Sequence, residues 1–205
     1  MRKIVVVVGY RADEVRLALQ GQDELVFVEQ TEQLGTGHAV QMSLDHLRRH
    51  EGSVVVLAGD SPLVQVSSLR ELFEAFESGE YACLLGTLRR DDPHGLGRIV
   101  RGESGEFLGI VEEKDATPQQ REITEVNMST YLFDASRLVE ALTRLENHNA
   151  QGEYYLTDCP RILKRLGDQV DALPILKACE AYSINSHQQL AEVERVMTDI
   201  GYNKN

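Results

Sequence analysis

The sequence predicts an α/β fold of Rossmann-like type, in which a mixed and mostly parallel sheet is flanked by helices. Two short apolar runs, residues 4–8 and 54–57, are rich in β-branched side chains and each leads to a glycine. This pattern is typical of strands buried on both faces of a parallel sheet. Between the two runs, apolar residues recur at helical spacing, as at Val15 and Leu19. The alternation of strand and helix predicts β-α-β units.

The rest of the chain predicts further strands and helices. Strands are predicted at residues 25–28, 81–88 and 126–133, with a hairpin formed by residues 99–101 and 107–111. Helices are predicted over residues 12–19, 40–47, 138–145, 162–166 and 190–197, and from residue 68 onward. Ser68 with Glu71 and Ser186 with Gln189 have the spacing of capping boxes. We expect one domain over residues 1–202, with residues 203–205 as a tail.

The composition argues against several classes of protein. The 205 residues are 42% hydrophobic, which is enough for a sizeable core. With 33 acidic and 21 basic residues, the formal net charge is −12, which disfavours binding to nucleic acid or to anionic membranes. No apolar run approaches the ~20 residues of a membrane span. The three cysteines form no C-x-x-C pair, so we expect reduced thiols in a cytoplasmic protein with no membrane or nucleic-acid partner.

A polar, glycine-rich segment follows the second predicted strand. It contains Gln30 and the motif QLGTGH at residues 33–38. Its glycines allow the backbone to approach a planar ligand closely, and glutamine amides can match the hydrogen-bonding edge of a pyrimidine. The alternative interpretation is an ordinary glycine-rich entry into a helix.

A carboxylate stands just past the predicted strand 54–57. In the motif LAGDSPL at residues 57–63, Asp60 follows the strand and Pro62 restricts the turn. Ligands of α/β sheets bind beyond the carboxyl ends of the strands, and Mg²⁺ needs only one or two protein carboxylates or amides when phosphates supply other ligands. Asp60 is therefore a candidate magnesium ligand. The alternative is an Asx turn.

Two further motifs combine glycine with polar side chains. In HGLGRI at 94–99 and GIVEEKDA at 109–116, Gly97 can present its backbone to a ligand and Glu112 can accept hydrogen bonds from sugar hydroxyls. The charged run could equally be the solvated end of a hairpin. The segment NAQGEYYLTD at 149–158 leads into a helix, and its simpler interpretation is a cap at Thr157 or Asp158.

Taken together and in this order, these motifs resemble the pyrophosphorylase (uridyltransferase) domain of bacterial bifunctional N-acetylglucosamine-1-phosphate uridyltransferase/glucosamine-1-phosphate acetyltransferases. The resemblance extends over nearly the whole chain. It implies the nucleotide-diphospho-sugar transferase fold and a magnesium-dependent reaction in which UTP and N-acetylglucosamine 1-phosphate give UDP-N-acetylglucosamine and pyrophosphate. That product is a precursor of cell-wall peptidoglycan.

The resemblance also implies roles for individual residues. Asp60 and Asn185 correspond to the catalytic pair that holds Mg²⁺. The uracil-binding set corresponds to Gln30, Gln33, Gly35 and Thr36. The residues that hold the amino sugar and its phosphate correspond to Gly97, Glu112, Asn127 and Thr157.

The chain departs from this family at both ends. The family opens with a strand and a G-x-G-T-R-M loop followed by a lysine, which hold the triphosphate, and neither occurs here. We therefore expect the first β-α unit and a central strand to be missing, which leaves sheet edges that a partner or self-association would cover. The hexapeptide-repeat domain of the family is absent too, so acetyl transfer is not expected.

Two alternatives to the full reaction stay open at this point. Without the triphosphate loop, the chain could be a non-catalytic remnant that still binds UDP-sugars. It could also be a pyrophosphorylase for another sugar 1-phosphate.

Overall fold

The computed structural model describes residues 3–22 and 24–202. The strands are β1 (Ile4–Val8), β2 (Leu25–Glu29), β3 (Ser53–Leu57), β4 (Tyr81–Arg89), β5 (Arg98–Arg101), β6 (Phe107–Val111), β7 (Glu125–Asp134) and β8 (Gln169–Leu173). The helices are α1 (Ala12–Ala18), α2 (Thr36–Gln41), α3 (Leu44–Leu47), α4 (Val66–Ser78), α5 (Pro118–Arg121), α6 (Ala135–Leu142), α7 (Cys159–Arg165) and α8 (His187–Asp199). Short 3₁₀ turns lie at Leu156–Asp158 and Ala178–Ala181. The α/β fold class is confirmed, and the predicted tail 203–205 lies outside the described residues.

A six-stranded sheet forms the centre of the fold. Its order is β6-β5-β7-β4-β8, and β3 also pairs with β7. The carboxyl-terminal half of β7 lies between β3 and β4 and is antiparallel to both. The mixed sheet is confirmed, but parallel pairs are fewer than predicted, since only β1–β2 and β4–β8 are parallel among the described strands. The reason is that β7 runs against each of its neighbours.

Strands β1 and β2 form a separate two-stranded sheet. Both β1 and β3 have a strand on one edge only in the described part of the chain. The expectation that both are fully buried is wrong, because Ile4 is 46% and Leu57 41% exposed and α1 contributes no buried side chain. Apolar strands with one open edge leave backbone groups unpaired and apolar side chains exposed.

Side chains of β4 and β7 alternate between two helical layers. Leu84 and Leu132 point to one face of the sheet, where they pack with Leu72 of α4. On the other face, the sheet packs against α6 and α7. The buried side chains there are Cys83, Leu85, Tyr131 and Phe133 from the sheet, Leu138 and Leu142 from α6, and Cys159 and Leu163 from α7. This alternation follows from the two-residue period of a strand. Helices therefore cover both faces of the central sheet.

The start of α4 differs from the prediction. The helix begins at Val66 after Gln65, and Ser68 is buried in its first turn. The Ser68 hydroxyl donates to Glu180 Oε2 at 2.6 Å. The predicted capping box of Ser68 and Glu71 is therefore wrong, because Ser68 bonds to a distant segment.

The other predicted helices differ from the structure in smaller ways. Ser186 does cap α8, since its hydroxyl accepts from the backbone N–H of Gln189 at 3.2 Å. The Gln189 side chain accepts from the backbone N–H of Asn185 at 2.8 Å, so the cap is only half of the predicted box. The helix predicted over 40–47 is divided into α2 and α3. Within residues 3–22 and 24–202, no helix has the length and apolar character needed to cross a membrane.

A buried ion pair connects four strands of the central sheet. Arg101 on β5 donates to both carboxylate oxygens of Glu125 on β7 at 2.7 and 2.8 Å. Thr87 on β4 donates to the same carboxylate at 2.8 Å, and Arg101 also donates to the Ala172 carbonyl on β8 at 2.6 Å. Burial alone would raise the pKa of Glu125, but the hydrogen bonds from Arg101 and Thr87 outweigh it and lower the pKa.

We predict that Arg101→Met lowers the free energy of unfolding by about 3 kcal/mol, because removing one partner leaves a buried charge without compensation. Arg144→Met is the control, since Arg144 forms an exposed helical pair with Glu140 and its loss should cost less than about 0.5 kcal/mol. Urea unfolding of both variants measures the difference. Equal stability losses would contradict a structural role for the Arg101–Glu125 pair.

Candidate functional site

The glycine-rich motif packs against the segment 153–156. The N–H of Gly37 donates to the Tyr154 carbonyl at 2.7 Å, and the N–H of Tyr154 donates to the Leu34 carbonyl at 2.8 Å. A Cβ atom on Gly35, whose φ is 108°, would lie 2.7 Å from the Tyr154 carbonyl oxygen. A Cβ atom on Gly37 would lie 2.6 Å from Leu145 Cδ1. Both glycines are therefore required by close contact within the protein, which joins two motifs that are far apart in sequence.

The other predicted uracil-binding residues lie in the same loop. Gln30 is buried, and its Nε2 donates to the Gly35 carbonyl at 3.0 Å and lies 3.0 Å from His38 Nδ1. Thr36 Oγ1 accepts from the backbone N–H of Leu156 at 3.1 Å. Gln33 is exposed and makes only a 3.4 Å contact to the Gln30 carbonyl. The side chains of Gln30 and Thr36 hold the loop, whereas Gln33 is exposed and its Nε2 lies beside Gly9.

The four residues predicted to hold the sugar phosphate meet at one place. The Gly97 carbonyl accepts from the N–H of Asn127 at 2.8 Å. A Cβ atom on Gly97 would lie 3.5 Å from Asn127 Cβ and 3.6 Å from Glu112 Oε2. Thr157 Oγ1 donates to Glu112 Oε1 at 2.8 Å. Because Thr157 bonds to Glu112 and Asp158 makes no side-chain cap to α7, the helix-cap alternative does not describe this segment.

A local irregularity in β7 orients Asn127. The pairing with β4 shifts between Gly86 and Thr87, so that Met128 and Ser129 have no partner on β4, and Ser129 has a left-handed φ of 52°. Such bulges redirect side chains and occur next to active sites. Asn127 Nδ2 donates to the Tyr131 hydroxyl at 2.8 Å, and Asn127 Oδ1 accepts from the N–H of Ser129 at 3.2 Å.

The sequence did not assign a role to Tyr131. Its burial raises the pKa of the hydroxyl, so the group stays protonated at neutral pH. The signal that could have identified it is its position four residues after Asn127 on a predicted strand, which places both side chains on one face.

A polar cavity of about 110 Å³ lies next to this cluster and is lined by Gly95, Glu112, Glu113, Lys114, Gln151 and Tyr155. Burial raises the pKa of the Glu112 carboxyl, the hydrogen bond from Thr157 opposes the shift, and nearby carboxylates add to it. The Tyr155 hydroxyl is buried without a hydrogen-bond partner among the described residues. Donors and acceptors at the cavity wall suit a ligand rich in hydroxyl groups.

Arg98 holds the loop that carries Gly97. The sequence did not assign a role to this residue either. Its side chain is buried, donates to the Leu96 and Arg121 carbonyls, and lies 2.6 Å from Glu113 Oε2. The hydrogen bond from Arg98 lowers the pKa of Glu113. A buried arginine with two carbonyl partners and a carboxylate partner restrains the backbone next to the cavity.

Asp60 and Asn185 lie on neighbouring segments. The N–H of Ile184 donates to the Asp60 carbonyl oxygen at 2.9 Å. The Asp60 carboxylate is exposed, contacts only Ser61 Oγ at 3.4 Å, and accepts no backbone N–H from the described residues, so the Asx-turn alternative does not apply. Asn185 is also exposed, and its Nδ2 donates to Ser183 Oγ at 3.2 Å.

This donor set fits magnesium. A carboxylate and an amide oxygen are hard ligands of the kind that Mg²⁺ takes when substrate phosphates supply further ligands. No cluster of three or more histidine, cysteine, aspartate or glutamate side chains suited to a metal occurs in the part of the chain that the structure describes. Asp60 and Asn185 supply one carboxylate and one amide, so they do not form a cluster of that kind, and substrate phosphates would have to supply further ligands.

We predict that Glu112→Gln makes the protein more stable at pH 8. The pKa of Glu112 is raised on folding, so the ionised carboxylate destabilises the folded state above that pKa, and the penalty disappears as pH falls toward the ordinary value of about 4.3. The thermal midpoint of the variant should therefore exceed that of the wild type at pH 8, with the difference narrowing at acidic pH. Glu146→Gln is the control, since the Glu146 side chain is 77% exposed. This variant should have the thermal midpoint of the wild type at pH 8 and at acidic pH.

Comparison with known proteins completes the description of the site. A family model described as nucleotidyl transferase matches residues 1–177, which include each predicted site residue except Asn185. Proteins named bifunctional protein GlmU from Streptococcus mutans and Solibacter usitatus are each 43% identical to this chain, over 95% and 96% of its length. The protein of that name from Streptococcus gordonii is 44% identical over 95%. The chain spans about two fifths of the length of these relatives, since the matches cover 42% of each. On the match to the family model, the chain belongs to the nucleotidyl transferase family.

Proposed function

We propose that this chain is a Mg²⁺-dependent nucleotidyltransferase of the UDP-N-acetylglucosamine pyrophosphorylase type, with UTP and N-acetylglucosamine 1-phosphate as substrates. The observation that carries the proposal is the meeting of Gly97, Asn127 and Thr157 at the Glu112 carboxylate, beside a polar cavity. Membership of the nucleotidyl transferase family supports the reaction class. The choice of uracil and of an N-acetylated sugar follows from the resemblance of the motifs.

Different side chains bind the sugar and the base in this proposal. Glu112 has one oxygen engaged by Thr157 and the other directed toward Gly97, so it can accept hydrogen bonds from sugar hydroxyls. Asn127 is held by Tyr131 and can present its amide to the same ligand. Gln33 is the exposed glutamine of the loop and can meet the base without breaking a short internal hydrogen bond.

In the proposed reaction, a phosphate oxygen of the sugar 1-phosphate attacks the α-phosphorus of UTP. A new P–O bond forms, the bond between the α-phosphorus and the bridging oxygen to the β-phosphate breaks, and pyrophosphate leaves with that electron pair. Mg²⁺, when bound, neutralises charge on the phosphate oxygens. Asp60 and Asn185 are the residues that would hold it, and positioning by the loops supplies much of the remaining catalysis.

A non-catalytic UDP-sugar-binding protein is the second candidate. It is favoured by one observation, which is that the residues brought together beside the cavity, such as Glu112 and Thr157, are those proposed to contact the sugar and its phosphate and not the triphosphate of UTP. Binding of UDP-N-acetylglucosamine without pyrophosphate release would support this candidate, and turnover with glucose 1-phosphate would support a different sugar specificity.

We predict that pyrophosphate release from UTP, N-acetylglucosamine 1-phosphate and Mg²⁺ falls about 100-fold or more in Asp60→Ala, because charge on the phosphates is no longer neutralised. Asp45→Ala is the matched control, since Asp45 lies on α3, has no proposed role in the site, and has a side chain that is 82% exposed. A coupled phosphate assay measures both. No release by folded wild-type protein, or equal rates in wild type and Asp60→Ala, would contradict the proposal.

We also propose that the protein self-associates through the open edges of β1 and β3. Light scattering after size exclusion should show a mass that rises with concentration. Ile4→Lys should reduce this association, because lysine on an edge strand disfavours pairing between chains. Leu166→Lys is the control, since Leu166 is 41% exposed and lies outside the strands. A constant monomer mass, or equal association in both variants, would contradict the proposal.

A further inference from the structure

We propose that Glu180 is a positioning residue, which holds the segment that carries Asn185 against the segment that carries Asp60. The inference rests on the proposed function, because it concerns the proposed Mg²⁺ ligands. Among the described residues, Glu180 forms no hydrogen bond with Asp60 or Asn185. It therefore positions these two residues through the backbone segments that carry them.

The Glu180 carboxylate is 3% exposed and accepts three hydrogen bonds. Oε1 accepts from the backbone N–H of Gln65 at 3.0 Å. Oε2 accepts from Ser68 Oγ at 2.6 Å and from the backbone N–H of Lys177 at 2.8 Å. Two of these donors belong to the start of α4 and the third to the loop before Ala178–Ala181. The carboxylate therefore connects two segments that are more than 100 residues apart in sequence.

The carboxylate also bonds to the start of α4 as the glutamate of a capping box does. Gln65 is the residue before α4, and its own side chain makes no capping hydrogen bond. Glu180 accepts from the Gln65 N–H, at the helix end where negative charge is favoured. This explains why a buried carboxylate is tolerated here with three neutral donors.

The segments 60–65 and 180–185 are connected at both of their ends. Asp60 lies five residues before Gln65, and Asn185 lies five residues after Glu180. At the other end of the same two segments, the N–H of Ile184 donates to the Asp60 carbonyl at 2.9 Å. Glu180 and this backbone bond together fix the register of the two segments. Without the buried carboxylate, the hydrogen bonds that remain between these two parts of the chain in the described residues are the one from Ile184 to Asp60 and an exposed one from Lys177 Nζ to Ser67 Oγ at 2.6 Å.

Glu180→Gln is the test, because it preserves side-chain volume but turns an NH₂ group toward N–H donors. Mn²⁺ serves as the probe and is titrated into the full chain with UDP-N-acetylglucosamine present, while electron paramagnetic resonance follows free Mn²⁺. We expect the Mn²⁺ dissociation constant to rise about tenfold, while binding of UDP-N-acetylglucosamine without metal stays within twofold of the wild type.

Asp134→Ala is the control for loss of stability alone. Asp134 caps α6 by accepting from the N–H groups of Ser136 and Arg137, and it pairs in register with Ser53 at the opposite end of β3 from Asp60. This variant should leave the Mn²⁺ dissociation constant unchanged, at a temperature where circular dichroism shows that all variants are folded.

The outcomes separate the inference from the proposed function. Mn²⁺ binding of equal affinity in wild type and Glu180→Gln, but lost in Asp60→Ala, would overturn the role of Glu180 and leave the metal site intact. Equal Mn²⁺ binding in wild type and Asp60→Ala would overturn both. If Glu180→Gln does not fold, Ser68→Ala removes a single hydrogen bond to the carboxylate. We then expect about threefold weaker Mn²⁺ binding, and unchanged affinity would overturn the inference.

Discussion

The long strand β7 is the element on which the remaining architecture depends. It pairs with β3, β4 and β5, and its alternating side chains reach the helical layers on both faces of the sheet. Its ladder to β4 is interrupted by the bulge at Met128 and Ser129. One strand therefore supplies the centre of the core and also places Asn127 next to Gly97. A change in its register would move core and site side chains together, since register sets the face to which each side chain points.

The candidate site is assembled from loops that are far apart in sequence and lie close together in the folded chain. The close contact of Gly35 and Gly37 with Tyr154 brings the glycine-rich loop to the segment that carries Thr157. Thr157 then meets Glu112, whose ionised form is disfavoured by burial. Keeping a carboxylate in such surroundings lowers stability, and this is typical of positions that are retained for binding.

The open edges of β1 and β3 set this fold apart from a continuous sheet. The two-stranded sheet and the six-stranded sheet are each built from regular ladders, yet neither buries its apolar strands fully at the open edge. Hydrogen-bonding groups on an open strand are satisfied by water or by another strand. β3 ends three residues before Asp60, so its open edge leads to the segment of this proposed ligand.

The sequence by itself determined the α/β class, the approximate position of most elements, and the residue types of the site. Strand and helix periodicity identified β1, β4 and β7 and helices such as α8, because these depend on local spacing. The resemblance of the motifs to a known family also assigned one role to Gly97, Glu112, Asn127 and Thr157, and the structure brings these four residues together. Local spacing failed where a side chain bonds to a distant segment, as Ser68 does to Glu180.

Only the tertiary structure decided the direction of the strand pairs, the division into two sheets, and the partners of the polar side chains. Antiparallel pairing on both edges of β7 depends on which strands become neighbours, which periodicity does not encode. The hydrogen bonds of Arg98 to the Arg121 carbonyl and of Arg101 to Glu125 depend on burial and on which strands become neighbours. Such contacts join residues that only the folded chain brings together, and for this reason their chemistry cannot be read from a single segment of sequence.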